Sequence, residues 1–293
     1  MAQHQPDLFN LDVSNTTGGG AIVSGVIVRE VPCRSLLNRS GIQDYSFNCY
    51  TGCQHGCAYC YARFMQRFHP HEEAWGRFVD VKINAVEVLK GQLRRLPPGS
   101  VFTCSACDGW QQAEKHYQLT RRCCQLLLEA GFSLTILTKS QLVLRDLDIF
   151  AGKNVSLGVT IATPDERQAR LWEPAASSVA ARIIVLKAAQ VAGLATHVMF
   201  GPLLPGISDT PEALHRLFAL ARDADVGRIW TDALNVRPRV WPAVHELLAQ
   251  HRPDLLGLYR RVLFEPEFRE QYVAQLQQRI RQAAMANRLA DRL

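Results

Sequence analysis

Three cysteines fall within eight residues, Cys53, Cys57 and Cys60, in the string Asn48-Cys49-Tyr50-Thr51-Gly52-Cys53-Gln54-His55-Gly56-Cys57-Ala58-Tyr59-Cys60-Tyr61. A C-x3-C-x2-C spacing lets one loop wrap a compact iron–sulfur cluster, with each thiolate bound to its own iron. A four-iron cube held by three thiolates keeps one iron open, and an open position separates a reactive metal site from a structural one. Gly52 and Gly56 let the backbone turn between ligands. A zinc ion is the alternative. Cys49 or His55 could complete it, and Cys104-Ser105-Ala106-Cys107 is a second unit with zinc-like spacing. Three unligated cysteines do not suit this stretch, because residues so close in one glycine-containing loop cannot all face a core.

The rest of the chain must position that loop. Its 293 residues, 47% hydrophobic and 20% charged, can bury a large core as one α/β domain with appendages. Nine cysteines, an odd number with three clustered, suggest metal ligation or catalysis in a reducing compartment rather than a disulfide framework. The first residues lack the basic and apolar segments of a signal peptide, and no apolar run approaches the roughly 18 residues of a membrane span. A cytoplasmic protein with no membrane association is expected. The net charge of +6 arises from 27 Arg against 6 Lys. Arg suits bidentate contacts to phosphates and base edges, although Arg-rich codon usage produces the same excess.

Residues 1–44 read as an N-terminal leader, loosely ordered to about residue 30, with Ser14–Gly20 as a flexible connector. From residue 45 short apolar runs alternate with helical ones. Strands are expected at Tyr45–Tyr50, Ser100–Cys104, Ser133–Thr138, Val155–Ile161, Thr196–Phe200 and Arg228–Thr231. Helices are expected at Ala85–Arg95, Ala113–Ala130, Leu142–Phe150, Ser178–Ala192 and Pro211–Ala224, two of them closed by Gly131 and Gly193. Such alternation implies parallel strands with right-handed crossovers over residues 45–235, followed by a helical extension over 236–293. In that extension Phe268, Tyr272, Leu276 and Ile280 share one helix face, and Arg269, Arg279 and Arg281 lie on others. A helix packed over the sheet is the plain reading; a nucleic-acid contact is the sharper one.

The string Gly52–Arg63 resembles the radical SAM (S-adenosylmethionine) superfamily, and within it the branch related to spore photoproduct lyase. Further agreement runs in order through Asp108-Gly109-Trp110-Gln111-Gln112-Ala113-Glu114-Lys115, Leu119-Thr120-Arg121, Leu137-Thr138-Lys139-Ser140, Glu173-Pro174 and Gly201-Pro202-Leu203-Leu204-Pro205-Gly206. The resemblance implies a partial (β/α)6 TIM-type barrel and a [4Fe–4S] cluster on Cys53, Cys57 and Cys60. In that family the open iron chelates SAM, the reduced cluster breaks the C5′–S bond, and the resulting radical takes a hydrogen atom from the substrate.

Several positions acquire roles by the same route. Tyr59 and Tyr61 would lie against SAM, Lys139 would reach its carboxylate, and Thr160 its ribose or methionyl group. Asp108 and Glu114 would bind ribose hydroxyls or the SAM amine, or else cap the following helix. The related lyase keeps a hydrogen-donating cysteine before the aspartate that matches Asp108. Ser105 stands there in this chain, with Cys104 and Cys107 on either side as candidate donors, as packed residues, or with Cys123 and Cys124 as ligands of a second cluster. Trp110 and Trp172 are candidates to stack a base or, equally, to pack within the fold. The expected partners are a nucleic-acid substrate and a reductant such as flavodoxin or ferredoxin. A protein, peptide or small-metabolite substrate is the alternative, and a zinc-held binding module is the third reading.

Overall fold

The computed structural model describes residues 14–15, 21–23, 25–235, 237 and 239–293. Strands β1 (Ser14–Asn15), β2 (Ala21–Val23) and β3 (Val26–Val31) open the chain, and β4 (Asn38–Arg39), β5 (Tyr45–Phe47), β6 (Tyr50–Thr51) and β7 (Phe78–Lys82) follow. After helix α1 (Ala85–Leu93) come β8 (Ser100–Thr103), α2 (Glu114–Tyr117), α3 (Leu119–Glu129), β9 (Ser133–Thr138) and α4 (Leu147–Phe150). Then come β10 (Val155–Thr160), α5 (Glu166–Trp172), α6 (Val179–Val191), β11 (Ala195–Leu203), α7 (Pro211–Asp223) and β12 (Arg228–Ala233). Helices α8 (Val240–His251), α9 (Leu256–Phe264) and α10 (Pro266–Ala286) end the chain.

Strands β5, β8, β9, β10, β11 and β12 lie side by side in chain order, all parallel, with β4 antiparallel at one edge. The two edges, β12 and β4, do not pair, so the sheet curls into an open partial barrel. Alternation along the strands sorts side chains between two faces. In β9 the residues Leu134, Ile136 and Thr138 are buried beneath the helices, whereas Ser133, Thr135 and Leu137 face the half-open interior. The same face carries Ser156 and Gly158 from β10, His197 and Met199 from β11, and Trp230 from β12, as the strand register requires. Gly158 is obligatory there: a Cβ on it would lie 2.2 Å from the ring of His197, which leans across the strand and packs at a tilt against Trp230, ring centres 4.2 Å apart.

Two expectations need correction. The leader is not loose over Val26–Val31, where β3 pairs in parallel with β7 in a second sheet of order β1-β2-β3-β7-β6. Its β-branched run Val26-Ile27-Val28 is the signal for this strand. Ser14 and Asn15 also pair with β2, while 16–20 of the expected connector lie outside the described residues. The long helix expected over Ala113–Ala130 is broken, because Gln118 adopts a left-handed conformation (φ 50°). Glu114 explains the break. Its buried carboxylate accepts the backbone N–H groups of Thr120 and Arg121, both at 3.0 Å, and so caps α3 from the preceding helix. It also accepts the Tyr50 hydroxyl and pairs with Arg145 at 3.1 Å.

Helix α10 packs as a helix over the domain: Tyr272, Leu276 and Ile280 are buried, Tyr272 donates to Asp209 (2.9 Å), and Arg279 pairs with the same carboxylate. No helix among the described residues is long and apolar enough to cross a membrane. Removing the Glu114 carboxylate should strand several buried donors at once. Glu114→Ala is therefore expected to cost about 3–5 kcal/mol, read as a shift of the urea midpoint at constant slope.

Candidate active site

The cysteine loop leaves β6 and turns twice, with Gly56 N donating to Cys53 O and Cys60 N to Cys57 O, both 3.2 Å. Gly52 enters it at φ +84°, and a Cβ there would meet the Phe78 carbonyl at 2.5 Å, so no other residue fits. Neighbouring segments hold the loop from both sides. Gln54 N donates to Gln111 Oε1 (2.8 Å) while Ala113 N donates to Gln54 Oε1 (2.7 Å). Ala58 N donates to Trp172 O (2.9 Å), and Arg63 donates to Cys57 O (3.1 Å). Cys53 and Cys57 are buried and Cys60 is half-buried. Burial pushes all three thiols upward, Cys57 to about 12 against the opposing charge of Lys139. Each must lose its proton on binding a metal.

All three thiols line one cavity of about 450 Å³ at the C-terminal ends of the barrel strands. Barrel chemistry gathers at such ends because consecutive strands deliver side chains to one place. Here β8 leads to Cys104, β9 to Lys139, β10 ends in Thr160, and β12 supplies Asp232, all lining the cavity. Lys139 Nζ lies 5.8 Å from the centre of the Tyr59 ring, and among the described residues it has no carboxylate partner. Burial works against its charge, but Cys57 and Glu173 outweigh that and raise its pKa. Tyr59 donates its hydroxyl to Glu173, and Tyr61, 42% exposed at the cavity edge, donates to the carbonyl of Ser105.

Asp108 also lines the cavity but is already engaged. It accepts from Thr138 Oγ1 (2.8 Å), Lys139 N (2.8 Å) and Trp110 N (2.9 Å), and lies 3.4 Å from His55 Nδ1. Burial, partly opposed by Asp108, holds His55 below the usual imidazole range. Cys104, Ser105 and Cys107 are all present in the cavity wall. Cys104 sits in the left-handed region (φ 59°), and its thiol is raised by the neighbouring Cys107 thiol and by burial. Cys107 donates to Asn48 Oδ1 at 3.6 Å.

Glu114 is not at the cavity; it caps α3, so its expected contact with a ligand is corrected. Trp110 and Trp172 are also unavailable for stacking. Trp110 is 1% exposed and donates to Asp146 (2.8 Å), while Trp172 is fully enclosed between Tyr59 and Tyr259. Cys123 and Cys124 belong to the main core, where Cys123 Sγ lies 3.8 Å from Cys49 Sγ. Sequence reasoning missed Met199, Trp230 and Asp232, which line the cavity together with His55. Alternation within Arg228-Ile229-Trp230-Thr231-Asp232 would have placed Trp230 and Asp232 on the inward face.

The residues fit a cubic cluster with a chelated ligand. Three thiols from one loop share a cavity with a lysine that has no carboxylate partner among the described residues, which suits a ligand carboxylate. A single zinc ion fits less well, since among the described residues no three His, Cys, Asp or Glu side chains converge on one ion.

Comparison with known proteins agrees. An uncharacterized protein of Mycobacterium tuberculosis is 32% identical over 267 residues, covering 84% of this chain and 78% of its own. An uncharacterized protein of Methanocaldococcus jannaschii is 34% identical over 166 residues, covering 56% and 62%. Spore photoproduct lyase complexed with dinucleoside spore photoproduct shares the fold, with a TM-score of 0.67, 14% identity, and coverage of 90% of this chain and 80% of that one. A mutant of that lyase with bound S-adenosylmethionine and the dinucleoside superposes equally, at 0.67. Residues 47–218, more than half of the chain, match the radical SAM superfamily, so the chain belongs to that family, whose cofactors are a [4Fe–4S] cluster and S-adenosylmethionine.

Proposed function

We propose that this radical SAM enzyme acts on a nucleic acid, removing a hydrogen atom from a nucleotide at the barrel mouth and returning one from a cysteine. The resulting thiyl radical is reset to the thiol by one electron from the protein reductant and one proton from solvent. The observation that carries this reading is the single cavity lined by Cys53, Cys57 and Cys60 together with Cys104 and Cys107. When bound, the cluster and SAM supply reductive C5′–S cleavage and the carbon radical that abstracts hydrogen.

The chain's residues then divide the work. Cys53, Cys57 and Cys60 hold three irons, and Lys139, over the Tyr59 ring, meets the SAM carboxylate. Thr160 offers a hydroxyl to the ribose or methionyl group, and Tyr61 closes the cavity edge. Asp108 acts chiefly by orienting Lys139 and His55. The Cys104 thiol, kept protonated by the neighbouring Cys107 thiol and by burial, retains the hydrogen that a substrate radical would take. Trp230, with Met199 and Phe102 beside it in the wall, offers an aromatic face to a flipped base. The fold shared with a lyase that binds a dinucleoside lesion supports this choice, as does the excess of Arg over Lys.

Anaerobically reconstituted protein should bind about four irons and convert SAM to 5′-deoxyadenosine with dithionite; Cys57→Ala should abolish both, by iron assay and chromatography. Oligonucleotide affinity should fall about ten-fold or more between 50 and 200 mM salt, as expected when a few phosphates are contacted. Absent or salt-insensitive binding would transfer the reading to a peptide or metabolite. Turnover in D2O should place deuterium in the product through the exchangeable thiols. The double variant Cys104→Ala/Cys107→Ala should lose that label, by mass spectrometry, while still forming 5′-deoxyadenosine.

A further inference from the structure

The cavity that holds the cluster ligands also has to receive SAM and substrate, so an electron donor cannot use the same opening while both are bound. A second route to the cysteine loop exists through the protein wall. Trp172 stacks on Tyr59 with ring centres 6.3 Å apart, and Tyr59 lies between Cys57 and Cys60 in the chain. The carbonyl of Trp172 accepts Ala58 N at 2.9 Å, fixing α5 against the loop. Cys57, Tyr59 and Trp172 form one apolar cluster with Tyr259 and Leu248 of the C-terminal helices, and Leu171 packs against it.

The outer side of that wall is basic. Arg167, Gln168, Arg170 and Leu171 from α5, with His251 at the end of α8 and Arg252 just after it, line a cleft of about 450 Å³. No carboxylate lines it; the exposed Asp254 pairs with Arg252 at 2.7 Å from outside. Arg167 and Arg170 are exposed, and neither has an ionic partner among the described residues. Leu171 thus lines the basic cleft and also packs against the apolar cluster that contains Cys57, Tyr59 and Trp172.

We propose that this cleft is the docking face for an acidic one-electron carrier protein that reduces the cluster. The inference rests on the radical SAM reading above and adds the place where its electron enters. The step moves one electron and no atoms: the reduced carrier is oxidised by one electron and the cluster is reduced by one. Charge complementarity steers such encounters and gives them a steep salt dependence. Their interfaces are also small, so a cleft of this size with a few guanidinium groups is enough. A nucleic-acid backbone carries the same charge, but it needs access to the cavity mouth and has no use for the aromatic path behind Leu171.

The test compares two reductants acting on the anaerobic, reconstituted enzyme. SAM cleavage is driven either by dithionite, a small reductant that needs no docking face, or by flavodoxin kept reduced by its reductase. Arg167→Glu/Arg170→Glu should slow the flavodoxin-driven rate about ten-fold at low salt and leave the dithionite-driven rate within two-fold. Salt at 0.5 M should slow the wild-type flavodoxin reaction and erase the difference. The milder Arg167→Gln/Arg170→Gln should move the rate in the same direction by a smaller factor, which keeps the comparison open should charge reversal prevent folding. An unchanged flavodoxin-driven rate overturns the proposal. So does an equal loss with both reductants, or a loss of oligonucleotide binding with no change in the flavodoxin reaction. Wild-type enzyme that cleaves no SAM even with dithionite instead sinks the radical SAM reading itself, and the docking face falls with it.

Discussion

The geometry of the active site depends on one buried ion pair, Glu173 with Arg182, whose side chains are each 1% exposed. Burial alone would raise the Glu173 carboxyl, but Arg182 and Lys139 hold it below the usual range. Desolvating two charges is costly and is offset only where the remaining polar atoms are also satisfied. Here they are. Glu173 takes the Tyr59 hydroxyl as well as the guanidinium, and Arg182 also donates to the Thr160 carbonyl (2.8 Å) and the Ser177 carbonyl (2.9 Å). Ser177 N in turn donates to Lys139 O at 3.0 Å. The pair therefore ties the cysteine loop to the ends of β9 and β10, where the two polar candidates for SAM contact stand.

The barrel interior serves the opposite purpose, since it must stay partly empty. Ser133, Thr135, Ser156 and Gly158 are small inward residues, and the larger His197, Met199 and Trp230 come from the far strands β11 and β12. Packing is delegated to the outer face, where the helices bury Leu134, Ile136, Leu157 and Val159. A second apolar cluster, built from α8, α9 and the loop itself, covers Cys57 and Tyr59 from outside. Excluding water there strengthens each charge interaction in the site. It also leaves the aromatic pair Tyr59 and Trp172 as the wall between the cluster ligands and the basic cleft.

Much of this was readable from residue order. Strand–helix alternation identified all six parallel barrel strands, because each carries a short run rich in apolar and β-branched residues between helical segments. Ser133–Thr138 was placed to the residue. Lys139 and Thr160 were placed at the cavity because strand ends can be read from such runs. The failures share one cause. Glu114, Trp110 and Trp172 sit in loops or at helix ends after a strand, where sequence position suggests the cavity but side-chain direction decides it. Each points into the protein and finds a buried partner instead. The strand pairing of β3 with β7 joins segments some fifty residues apart, a contact that local pattern cannot reveal.

The sequence by itself put forward one candidate ligand set. Cys53, Cys57 and Cys60 lie in one loop, and short-range spacing limits what three thiolates so placed can bind. It also determined the alternation of parallel strands and helices, because hydrophobic periodicity is local, while the partial barrel was implied by the family resemblance. Only the tertiary structure decided what shares the cavity with those thiols. Bringing Cys104, Cys107, Lys139 and Trp230 to one wall depends on strand register and curl, which are set by packing among distant segments. The pairing of Glu173 with Tyr59, across 114 residues, has the same origin: burial selected partners that chain order keeps apart.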